Sequence, residues 1–280
     1  MQGKICVVTG ANSGIGKAIS HKLAEMNAHV VMVSRNKEKG QKVLEEIKNA
    51  TGNNLIDLMI CDFASIKSIH EFAENYKQKY NKLDVLINNH GIFNLKFHKT
   101  EDGLESMFAV NYLGSFLLIN LLLDFIKASS PARIIIVSSD AYKQARKSNL
   151  LDYNCEKRKF RGFIAYAESK LYTIMVSYLL SDKLKGTGVS INVLHPGFTK
   201  TNMGMNNKAY RIFFPLIGFF AKTPEKAAQT PIYLASSPEV EGVSGRYFIN
   251  KKQEETNEIS HNKKFQQELW NLSMKLCNLE

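Results

Sequence analysis

The sequence predicts an α/β fold: a doubly wound parallel sheet within a single domain. Short apolar, β-branched runs alternate with longer segments of helical period through the first 200 residues. The runs show no polar alternation, which marks strands buried on both faces. The strand-then-helix order repeats, and that order suits a parallel sheet with helices on either side.

In chain order, the buried-type runs place strands at Ile5–Thr9, His29–Ser34, Leu55–Ile60, Val85–Asn88, Ile134–Ser138 and Ser190–Leu194. Helical period between them predicts helices near Gly14–Met26, Lys37–Asn49, Ile66–Lys79, Gly103–Lys127 and Ala165–Leu184. The last of these has Leu171, Ile174, Met175, Tyr178 and Leu179 on one face. No repeat, Pro/Gly-rich linker or composition break precedes roughly residue 250. Residues 1–250 therefore read as one domain and 251–280 as a helical tail, where Phe265, Leu269, Leu272 and Leu276 recur at helical spacing.

The composition, 44% hydrophobic and 22% charged over 280 residues, excludes disorder, collagen and simple coiled coil. A net charge of +11 permits attraction to nucleic acid, anionic lipid or a phosphorylated ligand without choosing among them. No zinc pattern, RNP-like phrase or helix-turn-helix signature supports nucleic acid as a partner. Cys6, Cys61, Cys155 and Cys277 form no CxxC pair and no metal-binding spacing, so no metal is expected and a reducing, cytoplasmic setting is. The first strand begins almost at the initiator Met, so no leader is expected before it. No apolar stretch is expected to reach the ~18 to 20 residues of a membrane span, and Cys277-Asn278-Leu279-Glu280 fits a prenylation box poorly.

Directly after the first strand comes Thr9-Gly10-Ala11-Asn12-Ser13-Gly14-Ile15-Gly16, followed by a helix pattern. Glycines at such a turn let the backbone approach a pyrophosphate, whose charge then sits at a helix N-terminus. Gly10, Asn12, Ser13, Gly14, Ile15 and Gly16 are thus expected to hold a dinucleotide. An NAD site wants an acid at the end of the second strand, for the ribose 2′-hydroxyl. Here the strand ends Val33-Ser34-Arg35, with Lys39 shortly beyond. A guanidinium suits a 2′-phosphate, so NADP (NADPH) is the expected cofactor, with Arg35 and Lys39 near that phosphate.

The fifth strand ends in Ser138-Ser139, and Tyr166-Ala167-Glu168-Ser169-Lys170 opens a long helix. A Tyr and a Lys four apart share one helix face. The ammonium favours phenolate, bringing a side chain with a reference pKa of ~10 toward the working range of an acid/base. Ser139 would hydrogen-bond the substrate oxygen. The spacing YxxxK occurs three times, at Tyr153/Lys157, Tyr166/Lys170 and Tyr247/Lys251. Tyr247 lies too far along. Tyr153 sits in a charged, glycine-ended stretch without helical period, so Tyr166 is the expected acid/base and the residues before it an insertion beside the site.

The spacing TGxxxGxG, with Asn88-Asn89-His90-Gly91, Ser139/Tyr166/Lys170 and His195-Pro196-Gly197 in order, resembles the short-chain dehydrogenase/reductase family over roughly residues 4 to 250. That resemblance implies a Rossmann-type fold and further roles. Asp62 would contact adenine; Asn89 and Gly91 would line the cofactor channel; Asn111 would help Lys170 hold a water in a proton relay. Pro196, Gly197, Thr199 and Thr201 would hold the nicotinamide carboxamide, and Tyr166 and Lys170 would also touch the cofactor. His90 departs from the family's NNAG and is read as structural.

Thr9-Gly10-Ala11-Asn12, Cys61-Asp62-Phe63, Thr100-Glu101-Asp102-Gly103, Lys222-Thr223-Pro224 and Leu269-Trp270-Asn271-Leu272-Ser273 look closest to the retinol dehydrogenase group. This implies hydride transfer between NADP(H) and an apolar aldehyde or alcohol, such as retinal/retinol or a lipid-derived aldehyde. The alternative is a non-catalytic NADP(H) sensor on the same fold, which His90 keeps open. An apolar substrate lid is expected near 203–223, with 210–221 contacting a membrane peripherally, and a homo-oligomer is allowed for.

Overall fold

A computed structural model describes residues 1–145, 152–199 and 221–279. Its elements are β1 (Ile5–Thr9), α1 (Gly14–Glu25), β2 (His29–Ser34), α2 (Lys37–Thr51), β3 (Ile56–Ile60), α3 (Ile66–Lys79) and β4 (Val85–Asn88). A π-helical turn, Phe108–Leu113, then runs into α4 (Gly114–Ala128). They are followed by β5 (Ala132–Val137), α5 (Gly162–Lys183), β6 (Val189–His195), α6 (Pro224–Ser236), β7 (Arg246–Ile249), β8 (Lys252–Glu254) and α7 (Lys263–Leu276). The strands form one sheet in the order β3-β2-β1-β4-β5-β6-β7-β8. Every pairing is parallel except the last, where β8 returns antiparallel to β7.

Alternate residues of each strand serve opposite cores, as the pleat requires. Val7, Val31, Leu86, Ile134 and Ile191 face one side, where Ile69 and Phe72 of α3, Leu117 of α4, Leu171 of α5 and Leu269 of α7 cover them. Cys6, Val8, Val30, Met32, Ile87 and Ile135 face the other, against Ile19 and Leu23 of α1, Val43 and Ile47 of α2, and Leu234 of α6. Two covered faces make the sheet doubly wound, and its loops of interest gather at one edge.

Several expected boundaries shift for visible reasons. The helix expected from Gly103 begins at Phe108, because Gly103 sits at φ +79 in a turn and the Glu105 carboxylate caps the backbone N–H groups of Met107 and Phe108. Helix α5 starts three residues early, at Gly162, whose missing Cβ lets the chain lie against Asn94 and Leu95. Strands β7 and β8 and helix α6 were not expected. β8, Lys252-Gln253-Glu254, is wholly exposed and polar, so it carries no hydrophobic signature. The tail thus opens with a strand: Asn250 and Lys251, at φ 51 and 66, turn the β7–β8 hairpin across residues 250/251. One further expectation is corrected. Phe108–Ala128 forms a continuous helical segment of 21 residues, long and apolar enough to cross a membrane by length and composition, and it is mostly buried inside the fold.

Candidate active site

The chain runs outward from β1 through β2 to β3, then returns to place β4 on the other side of β1. At that reversal the loop after β1 opens a crevice at the carboxyl edge, where ligands of such sheets bind. Gly10 and Gly14 take φ +66 and +52, values that favour glycine. A Cβ on Gly16 would stand 2.2 Å from the Gly10 carbonyl oxygen and 2.6 Å from Asn89 Nδ2. Asn89 holds the loop down, donating from Nδ2 to the Thr9 carbonyl at 2.9 Å. Ser13 is the N-cap residue of α1 but its side chain makes no capping bond, and the first turn holds no acid. That helix end is fit for an anion, with Asn12 and Ile15 in the loop beside it.

Arg35 projects from the end of β2 with its side chain 72% exposed, Nη1 lying 3.9 Å from Asp62 Oδ2. Asn36 caps α2 by accepting from the Lys39 backbone N–H, so exposed Lys39 stands in the same first turn. The cap of α3 is Ser65, and Asp62 Oδ1 accepts from Ala64 N, leaving its carboxylate at the edge beside Arg35.

Tyr166 and Lys170 lie one turn apart on α5, with Lys170 Nζ 5.7 Å from the centre of the Tyr166 ring. Lys170 is 3% exposed; Nζ donates to the Val137 carbonyl at 3.1 Å, and burial lowers its pKa to about 8. Ser138 Oγ donates to the Lys170 carbonyl, pinning α5 to the end of β5. Next to it, Ser139 Oγ accepts from Ala141 N, which keeps its own O–H directed elsewhere. Asn111, in the π-helical turn, accepts from Ile92 N at 2.7 Å and donates to the Ile92 carbonyl and to Ser169 Oγ, both at 3.0 Å. It therefore joins the loop following Gly91 to α5.

The rival tyrosines separate clearly. Tyr153 stacks on Phe108 with ring centres 4.6 Å apart, and burial, with Glu156 nearby, raises its pKa. Tyr247 is buried, its hydroxyl donating to Asp140 Oδ1, and burial raises its pKa far above the ordinary value. Both serve packing. His90 is likewise absorbed into the interior: stacked on Phe63, bonded to Thr9 and to the Val110 carbonyl, with its pKa lowered to about 3 by burial and the Lys170 charge.

Beyond β6, Gly197 takes φ +90, and a Cβ there would meet Lys222 Cε and Nζ at 2.7 Å. Lys222 Nζ donates to the Pro196 carbonyl and to Asn250 Oδ1, while Thr199 Oγ1 donates to the Gly197 carbonyl. Thr201, and the expected lid and membrane contact apart from Ala221, Lys222 and Thr223, lie outside the described residues.

Sequence reasoning missed three contributors. Phe93 sets its ring edge-on to Tyr166 at 5.4 Å. Lys222 locks the Pro-Gly turn. Arg158 grips both carboxylate oxygens of buried Glu168, two residues past Tyr166, and pairs with Asp152 at 3.2 Å. Glu168 stood within the quoted Tyr-to-Lys segment; a buried acid there was the available signal, while Phe93 offered none.

Residues 4–211 match the family model described as short chain dehydrogenase. Over 100% of its length the chain is 40% identical to retinol dehydrogenase 14 of Homo sapiens, covering 88% of that protein. It is 38% identical to polyprenol dehydrogenase of Homo sapiens, with 99% of this chain and 86% of that protein covered. Among solved structures, an uncharacterized protein from Mycobacterium paratuberculosis superposes with a TM-score of 0.80 at 26% identity, covering 99% of this chain and 94% of that one.

Proposed function

Because the chain belongs to the short-chain dehydrogenase family and is an oxidoreductase of the retinol dehydrogenase type, we propose that it works with NADP(H) on an apolar aldehyde or alcohol, such as retinal/retinol or a lipid-derived aldehyde. Family members use a nicotinamide nucleotide, which when bound supplies or accepts the hydride. The glycine loop suits its pyrophosphate: Gly10 and Gly14, at φ +66 and +52, make the tight turn, and Gly16 lets α1 pack against the Gly10 carbonyl where a Cβ would not fit. Ser13 and the α1 N-terminus would bind that charge, Asp62 the adenine, and Pro196 to Thr199 the carboxamide. Arg35 and Lys39 favour the phosphorylated form of the nucleotide, because β2 ends on the cation Arg35 where an acid would meet a ribose hydroxyl, and Lys39 stands one helical turn further on.

The observation that carries the reading is the buried Lys170 ammonium beneath the Tyr166 ring. Tyr166 gives its phenolic proton to the substrate oxygen in reduction and takes it back in oxidation. Lys170 stabilises the phenolate that results, and Asn111 keeps α5 and the relay in register. Ser139 donates a hydrogen bond to the same substrate oxygen. Apolar groups support the substrate class: Phe93 covers Tyr166, and exposed Leu95, Phe97, Phe163 and Phe198 lie on the segments flanking it.

The test is NADPH consumption with retinal and medium-chain aldehydes. Tyr166→Phe is expected to lose ~10² to 10⁴ in rate while NADPH still binds, and Tyr153→Phe to stay within a few fold. The reverse pattern would make Tyr153 the acid/base; no loss from either would overturn the mechanism. We also propose a cytoplasmic location with peripheral bilayer contact through 210–221. Co-sedimentation with anionic vesicles supports that contact, and its failure at low salt removes it.

A further inference from the structure

His90 stands where three parts of the site meet. Its backbone N–H donates to Thr9 Oγ1 at 3.2 Å, and Asn89 N donates to the same oxygen at 2.9 Å. On the ring, Nδ1 lies 2.7 Å from Thr9 Oγ1 and Nε2 lies 2.9 Å from the Val110 carbonyl oxygen. A carbonyl can only accept, so the ring proton is on Nε2 and Nδ1 accepts the Thr9 hydroxyl proton. The Ile87 carbonyl, at 3.3 Å, is a longer alternative for the Thr9 proton and Ser115 Oγ, at 3.4 Å, a longer neighbour of Nε2; burial keeps the imidazole neutral, and Phe63 stacks on it at 3.5 Å with the planes 11° apart. Val110 precedes Asn111 within the π-helical turn Phe108–Leu113. Such turns bulge from regular helix and recur at functional positions.

We infer that His90 is a positioning residue: its Nε2–H bond to the Val110 carbonyl fixes the π-helical turn, and through it Asn111, against the catalytic helix. The inference rests on the hydride-transfer reading above, in which Asn111 joins Ile92 to Ser169 and so to the turn of α5 between Tyr166 and Lys170. Space filling alone would need only the ring's bulk against Phe63. Both polar contacts would then be incidental, although each lies within normal hydrogen-bond length. Because the ring joins Thr9, at the mouth of the glycine loop, to Val110, the residue before Asn111, it links the cofactor crevice to the proton-handling side of the site. A misplacement of about 1 Å at such a site can cost ~10²-fold in rate.

Three variants separate the roles. His90→Gln can still donate to Val110, since its amide nitrogen reaches the place of Nε2. His90→Asn is shorter and can keep only the Thr9 side, and His90→Ala keeps neither. The measurements are kcat and KM with NADPH and retinal, NADPH affinity by fluorescence, and hydrogen–deuterium exchange over residues 107–115 in the cofactor-free protein. His90→Gln is expected to hold kcat within about threefold of the parent, with unchanged exchange. His90→Asn is expected to lower kcat about tenfold with little change in KM or NADPH affinity, and to exchange faster across the turn. Equal behaviour of Gln and Asn, or an unchanged kcat in His90→Ala, overturns the inference. If the parent reduces no aldehyde, the reaction reading fails by itself. The exchange comparison then decides the His90 tie alone: faster exchange in Asn but not Gln upholds it, and equal exchange rejects it.

Discussion

Burial drives the Lys170 pKa down to about 8, far below the ordinary lysine value, with the Val137 carbonyl as its bonded neighbour. The unfolded chain, with a free lysine near 10.5, binds this proton more tightly than the folded one. Folded stability therefore rises with pH between about 8 and 10.5, and below that window the buried charge is a standing cost. Lys170→Met is expected to raise stability by on the order of 2 to 3 kcal/mol at pH 7, shrinking toward zero near pH 10.5, while turnover is lost. Urea titration at pH 7 and pH 10 checks the sign; a destabilised variant at pH 7 would refute it. Arg35 offers the complementary case of an exposed cation. Arg35→Asp is expected to weaken NADPH about 10- to 100-fold and narrow its margin over NADH, as loss of a charge-assisted contact does. Equal affinities for the two nucleotides in the parent would remove that expectation. Tyr166, Lys170 and Ser139 were legible from local text, and Asn111 from the family resemblance, because their types and order lie in short stretches of the sequence. Phe93, Lys222 and Arg158 were not, since each joins the site only through contacts made across the folded chain.

Asp57 of β3 knots three elements at the amino edge of the sheet. It accepts from His29 Nε2 of β2 and from the Tyr80 hydroxyl after α3, each at 2.7 Å, and pairs with Lys79 at 2.8 Å. Burial alone would raise its pKa, but the bonds from Lys79, Tyr80 and His29 outweigh it and bring the value to about 2. A carboxylate held below its unfolded value stabilises the fold above pH ~4, and that contribution fades as pH falls toward 2. With solvent screening at this partly exposed group, Asp57→Asn is expected to cost about 1 kcal/mol at pH 7. Chemical denaturation at pH 7 and pH 2.5 reads the difference, which should nearly close at the lower pH. Elements were legible where burial wrote a pattern. β1, β2, β4 and α3 match their expected spans, whereas β8 has no apolar residue to announce it. The start of α4 was misplaced because Glu105 acts on backbone groups, an interaction hydrophobic periodicity does not report.

At the level of the whole molecule, α7 closes the apolar side of α4 and α5. Tyr112 and Ser273 hydroxyls lie 2.6 Å apart, the Trp270 ring meets Phe116 edge-on at 5.0 Å, and Lys183 sits 4.8 Å over the indole. Leu269 is buried at 1% exposure. Removing residues 263–280 is expected to lower the melting temperature by at least ~10 °C and to raise binding of a hydrophobic dye, since several apolar side chains would meet water at once. An unchanged melt would mean that the tail is an appendage. The doubly wound architecture was legible from alternation alone; the covering role of the tail was visible only as an apolar helical stripe with no stated neighbour.

The interior place of β1, between β2 and β4, bears on how the protein is made. Its Ile5 N–H is satisfied by the Asp84 carboxylate, 79 positions later, and its Cys6 pairs with Val85. This interior strand is therefore made before the other strands of its sheet and must wait for β4 before its second edge is paired. During that interval an apolar, hydrogen-bond-hungry edge is open to neighbouring nascent chains. Holding chaperones near the tunnel exit would find a target in Ile5–Thr9 until residues 85–88 have emerged from the tunnel.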